Sequence, residues 1–244
     1  MDYIIKYIDE TDSTNRWLKD NPSERDMVVV ADYQTAGRGC GTNRWESERG
    51  KNLLFSIRIH PTEFNLGTIA QEGKLSANRQ FHISMAISLA ITDALGQYIG
   101  DLSIKWPNDI YWRNGKICGI LIEHTLQGKF IKESIIGVGL NVNQQMFESD
   151  APNPVSLWQI TEQETNREEL LNSILQCFKQ RLCQDLKADY MTALYRRKGY
   201  HPYTDKDGVF MAEIANVEDD GHLLLTDDSG HKRRYAFKEV QYII

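Results

Sequence analysis

The sequence predicts an α+β protein, with one larger domain over residues 1–198 in which strands and helices share a mixed sheet, followed by a small β barrel over residues 199–244. Three observations carry this. Short runs rich in β-branched residues recur through the first 145 residues. Two longer stretches, 81–99 and 166–198, repeat their apolar residues at helical spacing. After Tyr200 the texture changes to closely spaced short β runs, 209–217, 223–226 and 235–242, separated by Asp- and Gly-containing turns.

Residues 3–8 read as a first strand, and Ser13, Thr14 and Asn15 stand at the start of the next helix. One short polar residue is enough to cap a helix, so three leave room for a ligand contact as well as capping. Residues 27–31 form a buried strand by their Val run, and it feeds Gln34-Thr-Ala-Gly-Arg-Gly-Cys-Gly-Thr-Asn-Arg-Trp45. Gly37, Gly39 and Gly41 make this a loop with accessible backbone amides. Arg38 and Arg44 add positive charge and Trp45 a stacking surface, which suits a phosphate or acyl phosphate as well as a mobile surface loop. Residues 53–59 are a strand with Ser56 and Arg58 alternating into it, and 63–78 a polar connection. The helix over 81–99 should be the central one. A strand over 102–106 stops at Pro107, which has no N–H for a ladder. Turn chemistry explains Pro107-Asn-Asp109 but not Lys105 and Trp106.

Asn114-Gly115 is a two-residue hairpin signal between the aromatic run 110–112 and the apolar run 117–122. It would hold Lys116 at the mouth of a strand, beside the gap left by Gly119. A fixed cation beside such a gap suits an anion; a solvated hairpin lysine is the competing reading. In the strand over 133–143, Gly137 and Gly139 fall on one face, as if something pressed against it, and Asn141 follows. Cys177 and Cys183 are helix packing.

The formal net charge is −6 with no basic block, which argues against a dedicated DNA binder. Four cysteines form no CxxC pair and suggest no disulfide framework, which fits a reducing cytoplasm. No cationic leader opens the chain and no apolar run is long enough to span a membrane. Nucleotide and hydrolase motifs fail. Gly67 to Gly73 has one residue too many for a Walker A loop, Gly137-Val-Gly139 lacks a third glycine, and neither Gly-x-Ser-x-Gly nor His-Glu-x-x-His occurs.

Five segments in order, Asp12-Ser-Thr-Asn15, Gln34-Thr-Ala-Gly-Arg-Gly39 with Trp45, Lys105-Trp-Pro-Asn-Asp109, Gly115-Lys-Ile-Cys-Gly-Ile-Leu-Ile-Glu123 and Gly137-Val-Gly-Leu-Asn-Val-Asn143, resemble the biotin–protein ligases. The resemblance implies the mixed sheet of the class II aminoacyl-tRNA synthetase and biotin ligase fold, with an SH3-like C-terminal barrel. It implies a cytoplasmic ligase that makes biotinyl-5′-adenylate from biotin and ATP and passes the biotinyl group to a lysine of a biotin carboxyl carrier protein domain. The DNA-binding segment of some members would precede residue 1, so a ligase without repressor function is expected. By resemblance Lys116 and Arg38 are catalytic. Ser13, Thr14, Asn15, Gln34 and Gly119 bind biotin, whose ureido edge must be satisfied when buried. Gly37, Arg38, Gly39, Cys40, Trp45, Lys116 and Asn141 hold the adenylate. Mg2+ accompanies ATP, with Asp109 as the nearby carboxylate. Where many members carry further basic residues, this chain has Cys40-Gly41-Thr42-Asn43, so weaker retention of the adenylate is expected unless Arg44 compensates. Strands near residues 110–143 leave room for a homodimer. Lipoate or octanoate attachment shares the fold, but its Arg-Arg-x-Ser-Gly-Gly-Gly loop is missing; a non-catalytic biotin sensor is the other alternative.

Overall fold

A computed structural model describes residues 3–39, 41, 43–61, 73–148 and 153–244. In chain order the elements are β1 (Ile4–Thr11), α1 (Thr14–Asp20), β2 (Met27–Gln34), β3 (Leu53–Ile59), α2 (Phe81–Leu95), β4 (Leu102–Lys105), β5 (Asp109–Trp112), β6 (Gly115–Gln127) and β7 (Phe130–Leu140). There follow α3 (Leu157–Thr161), α4 (Arg167–Arg181), α5 (Lys187–Ala193), β8 (His201–Asp205), β9 (Gly208–Val217), β10 (Leu223–Asp227), β11 (Lys232–Tyr235) and β12 (Gln241–Tyr242). A seven-stranded sheet runs β1-β2-β3-β7-β6-β5-β4, and a five-stranded antiparallel sheet runs β11-β10-β9-β8-β12. The first sheet is mixed because β1 pairs parallel to β2 while its other pairs are antiparallel. The α+β expectation stands.

Every residue of β3 is buried, so its two faces separate by side-chain type. Phe55, Ile57 and Ile59 join the main core with the almost wholly buried α2 and the apolar stripe of α4. Ser56 and Arg58 point the other way, under α1. There Leu18, Val29 and Ile135 form a small second cluster. The functional groups described below lie on this α1 face.

Two expectations about the hairpins need correction. Trp112 pairs with Gly115, so the turn residues are Arg113 and Asn114, with Arg113 at φ 50°, rather than Asn114 and Gly115. Gly115 is instead a strand residue whose missing side chain makes room for Val155, which lies 2.8 Å from where its Cβ would be. The run over 235–242 is not one strand. Its ends belong to β11 and β12, which lie at opposite edges of their sheet, and Lys238 between them sits at φ 72°. The polar connection over 63–78 falls largely outside the described residues; its described end contains a 3-10 turn at Ala77–Arg79. No helix among the described residues is long and apolar enough to cross a membrane.

Candidate active site

The start of α1 is satisfied from outside the helix. Ser13 is the N-cap but its side chain makes no capping bond. Instead the Thr14 amide and hydroxyl donate to Gln34 Oε1 at 2.7 and 3.1 Å, and the Ser13 amide donates to Asp12 Oδ1 at 2.7 Å. Ser56 Oγ lies 2.7 Å from both Thr14 Oγ1 and Asn15 Oδ1. Asn15 Nδ2 donates to Glu123 Oε2 at 2.9 Å, and Lys19 donates to the other oxygen of that carboxylate at 2.6 Å. Burial pushes the Glu123 carboxyl up, but the bonds from Lys19 and Asn15 and the charges of Lys19 and Arg38 outweigh it, so its pKa ends below the ordinary value. The cluster is buried, with Ser13, Thr14 and Asn15 all under 5% exposed. Capping does not account for it.

Strand β3 holds the other end of the same helix. Arg58, 1% exposed, donates to the carbonyls of Leu18 and Asn21 and pairs with Glu133 of β7 at 2.8 Å.

Beside α1 the sheet is paved with glycine. Gly119 of β6 pairs with Gly139 of β7, and Gly137 lies across from Ser56. A Cβ at Gly137 would fall 2.2 Å from Asn15 Oδ1. One at Gly139 would fall 2.4 Å from the Trp45 ring, and one at Gly119 2.8 Å from it. The pressure expected on one face of β7 therefore comes from Asn15 and the indole of Trp45. Van der Waals contact at these positions requires the absence of a side chain.

The glycine loop folds into a narrow hairpin: Gly39 N donates to Asn43 O at 2.8 Å and Trp45 N to Gly37 O at 3.0 Å. Arg38 and Arg44 face each other across it. Gly37 is buried behind Trp45 and does not line the cavity, so its part is to let the hairpin close. Cys40 lies outside the described residues.

Lys116 is pinned by its backbone on the side away from β5. Its amide donates to Asn153 O at 2.7 Å and its carbonyl accepts from Val155 N at 3.0 Å. Its amine lies 2.7 Å from Asp109 Oδ2, each side chain 28% exposed, and 5.8 Å from the centre of the Trp45 ring. Lys105, which pairs with Asp109 across β4 and β5, was left unassigned by sequence reasoning. It sits over the rings of Tyr111 and Tyr242 at 5.1 and 5.4 Å and donates to Tyr111 Oη at 3.2 Å. Burial lowers its pKa, with Asp109 opposing and Lys116 and Arg196 adding to the shift. Asn141, 2% exposed, donates to Val155 O at 3.1 Å, while its Oδ1 has no partner among the described residues.

These groups surround one cavity of about 920 Å3. Ser13, Thr14, Asn15, Gln34, Arg38, Gly39, Trp45, Asp109, Lys116, Gly119 and Asn141 all line it. Sequence reasoning missed that Phe237, Lys238, Val240, Gln241 and Tyr242 complete the wall. The signal was present in Trp106, whose indole N–H donates to Gly221 O at 2.9 Å and whose ring meets Phe237 edge-on at 6.1 Å, fastening the second sheet to the first. Among the described lining residues five are basic, Arg38, Arg44, Lys105, Lys116 and Lys238, and Asp109 alone is acidic. On a chain of net charge −6 that local excess marks an anion site.

The biotin/lipoate A/B protein ligase family profile matches residues 7–141, more than half of the chain. The chain belongs to that family. Among relatives of this ligase-family protein, a biotin–[acetyl-CoA-carboxylase] ligase of Paracoccus denitrificans is 33% identical over 177 residues, 69% of this chain and 68% of that one. The bifunctional ligase/repressor BirA of Bacillus subtilis is 28% identical over 247 residues, covering 94% of this chain and 70% of its own. In fold, this ligase-family chain matches the biotin protein ligase from Aquifex aeolicus in complex with biotin and ATP with a TM-score of 0.78 at 23% identity, covering 98% of this chain and 99% of that one.

Proposed function

We propose that this chain is a biotin–protein ligase and that the cavity on the α1 face is where biotin and ATP are joined. The observation that carries the reading is the meeting of three features in one cavity: a glycine floor, a buried hydrogen-bonding cluster at one end and an excess of fixed cations at the other. The aliphatic part of biotin suits the apolar face that the Trp45 indole and the glycine-lined strands beneath it present to the cavity. Its ureido group suits Ser13, Thr14, Asn15 and Gln34, whose donors and acceptors are already oriented by Ser56 and Glu123.

In the first step a carboxylate oxygen of biotin attacks the α-phosphorus of ATP, the bond from that phosphorus to the bridging oxygen breaks, and pyrophosphate leaves. Two anions must approach, so charge stabilisation by Lys116 and Arg38 in a partly dry site is the main catalytic effect. In the second step the carrier lysine's neutral amine attacks the acyl carbon, the carbon–oxygen bond to phosphate breaks, AMP leaves, and the amine gives up its proton. Lys116 serves both steps because the oxygens it faces are common to both. Gly39 lines the phosphate side of the cavity, and Trp45 borders the adenine.

Mg2+ offsets phosphate charge when bound with ATP. The Asp109 carboxylate and the amide oxygen of Asn141, which has no partner among the described residues, are hard oxygen donors, as this ion takes with phosphates and water. The acceptor is the biotin carboxyl carrier domain of acetyl-CoA carboxylase, encountered in the cytoplasm.

The test is incubation with biotin, Mg-ATP and a biotin carboxyl carrier domain, followed by intact mass. One biotinyl group on the acceptor lysine is the expected result. Modification by lipoate instead, or none at all, overturns the reading.

A further inference from the structure

We propose that Glu123, which does not itself line the cavity, is a positioning residue: by fixing which way the Asn15 amide faces, it leaves the Thr14 oxygen an open acceptor and so selects acids whose head group donates an N–H. This deepens the biotin-ligase reading above and rests on it.

Four oxygens stand in a row at the head of α1. Gln34 Oε1 lies 3.1 Å from Thr14 Oγ1, Thr14 Oγ1 lies 2.7 Å from Ser56 Oγ, and Ser56 Oγ lies 2.7 Å from Asn15 Oδ1. The two ends are amide oxygens and carry no proton. Gln34 is held that way round because its Oε1 accepts the Thr14 backbone N–H at 2.7 Å. Asn15 is held that way round because its Nδ2 faces two acceptors, Glu123 Oε2 at 2.9 Å and Leu121 O at 3.4 Å. Two hydroxyl protons therefore serve three contacts, and no further donor to these hydroxyls is found among the described residues.

The contact left without a proton is the one where this costs least, the 3.1 Å pair, already longer than an ordinary O–H···O bond. Thr14 then donates to Ser56, and Ser56 to Asn15. The row runs toward Glu123, a carboxylate that Lys19 grips at 2.6 Å and that stays ionised at neutral pH. Bonds aligned in one direction polarise one another. Thr14 Oγ1, on the cavity wall and in a residue only 3% exposed, is left donating and accepting nothing. A buried acceptor in that state is costly until a ligand donor reaches it. A network built only to hold α1 would be complete without one. An N–H of a cyclic urea supplies the missing donor; a dithiolane ring, with neither N–H nor O–H, does not.

The charge of Glu123 is what keeps the row incomplete. In Glu123→Gln the new amide turns its oxygen to Lys19, which can only donate, and its NH2 to Asn15. Asn15 then turns over, so that its Nδ2 donates to Ser56, Ser56 to Thr14, and Thr14 to Gln34. All three contacts now hold a proton, and the vacancy closes without a ligand.

The experiment uses the full chain carrying Glu123→Gln, alone and together with Lys19→Met. Each variant is titrated with biotin by calorimetry and unfolded in urea without ligand. Biotin should bind about tenfold more weakly to Glu123→Gln, the scale of one hydrogen bond. Its urea midpoint should not fall, because the completed row offsets the loss of a half-exposed ion pair. Removing Lys19 frees the glutamine to offer its oxygen to Asn15, so the double variant should regain most of the lost affinity. Unchanged affinity in Glu123→Gln, affinity and stability falling together, or a double variant no better than the single one overturns the proposal. Absence of biotin binding by the unaltered chain would overturn the functional reading instead, and shows before any variant is compared.

Discussion

The amine of Lys116 and the carboxylate of Asp109 meet at 2.7 Å across neighbouring strands at the edge of the cavity. Asp109 thereby fixes the lysine's direction before any ligand arrives. Lys116→Ala should reduce biotin adenylation by about 10²–10³-fold, the scale for losing one preorganised charge-stabilising group. Asp109→Asn should keep the amine but release it, for a smaller loss of about tenfold. Pyrophosphate exchange measures both, with circular dichroism to verify folding. Undiminished exchange in Lys116→Ala would remove that lysine from the mechanism.

The glycine floor makes a second, sharper prediction. Gly137→Ala drives a methyl group into Asn15 Oδ1, and Gly139→Ala drives one into the Trp45 ring. Neither glycine has positive φ, so an alanine backbone is tolerated at both positions. We expect Gly137→Ala to weaken biotin binding at least about tenfold, since a misplaced Asn15 breaks buried hydrogen bonds. Gly139→Ala should change the tryptophan emission as the indole is displaced. Calorimetry with biotin and steady-state fluorescence check the pair, and wild-type affinity in Gly137→Ala would exclude this surface as the biotin floor.

Strand β3 clamps α1 at both ends, through Ser56 near its start and Arg58 at its finish. Arg58→Met leaves Glu133 without that buried partner and frees two carbonyls, for a loss of about 3–5 kcal/mol in urea unfolding. Because α1 carries Thr14 and Asn15, the same variant should raise KM for biotin more than KM for ATP. Arg58→Lys cannot reproduce the forked contacts and should recover only part of the loss. Equal changes in the two KM values would mean that Arg58 stabilises the fold without orienting the helix.

Stability should fall on mild acidification. His124, whose Nδ1 lies 2.8 Å from Ser134 Oγ, is pushed by burial from the ordinary 6.5 down to about 4. Above pH 6.5 both folded and unfolded chains leave it neutral and the full stability is present. Between about 6.5 and 4 the unfolded chain takes a proton that the folded chain refuses, and stability declines by up to roughly 3 kcal/mol. His82, likewise lowered by burial, adds in the same direction. Urea midpoints across this range should fall less steeply for His124→Gln; identical slopes would refute the assignment.

The elements in the first 145 residues were largely legible because the β-branched runs and the 81–99 periodicity coincide with buried faces. Site legibility followed another rule. Polar residues that a turn or cap did not require, such as the Ser13 to Asn15 cluster, Lys105 and Trp106, proved to have long-range partners. What could not be read was pairing at a distance. Arg58 was visible only as a polar residue in a strand, and nothing local announces that it reaches the end of α1. The part played by residues 237–242 was hidden for the same reason: a short polar turn looks alike whether it faces water or an anion site. The misplaced hairpin turn shows the limit of local signals, since Gly115 pairs with Trp112 and makes room for Val155 instead of turning the chain.

Paving two strands with glycine also constrains how this recognition surface can be redesigned. Space created by atoms that were never there cannot be enlarged by truncation; every exchange at positions 119, 137 or 139 takes volume away. Accepting a bulkier acid in place of the present one therefore requires changes in the groups that rest on this floor, beginning with the indole of Trp45, while the sheet itself can be edited only toward smaller guests.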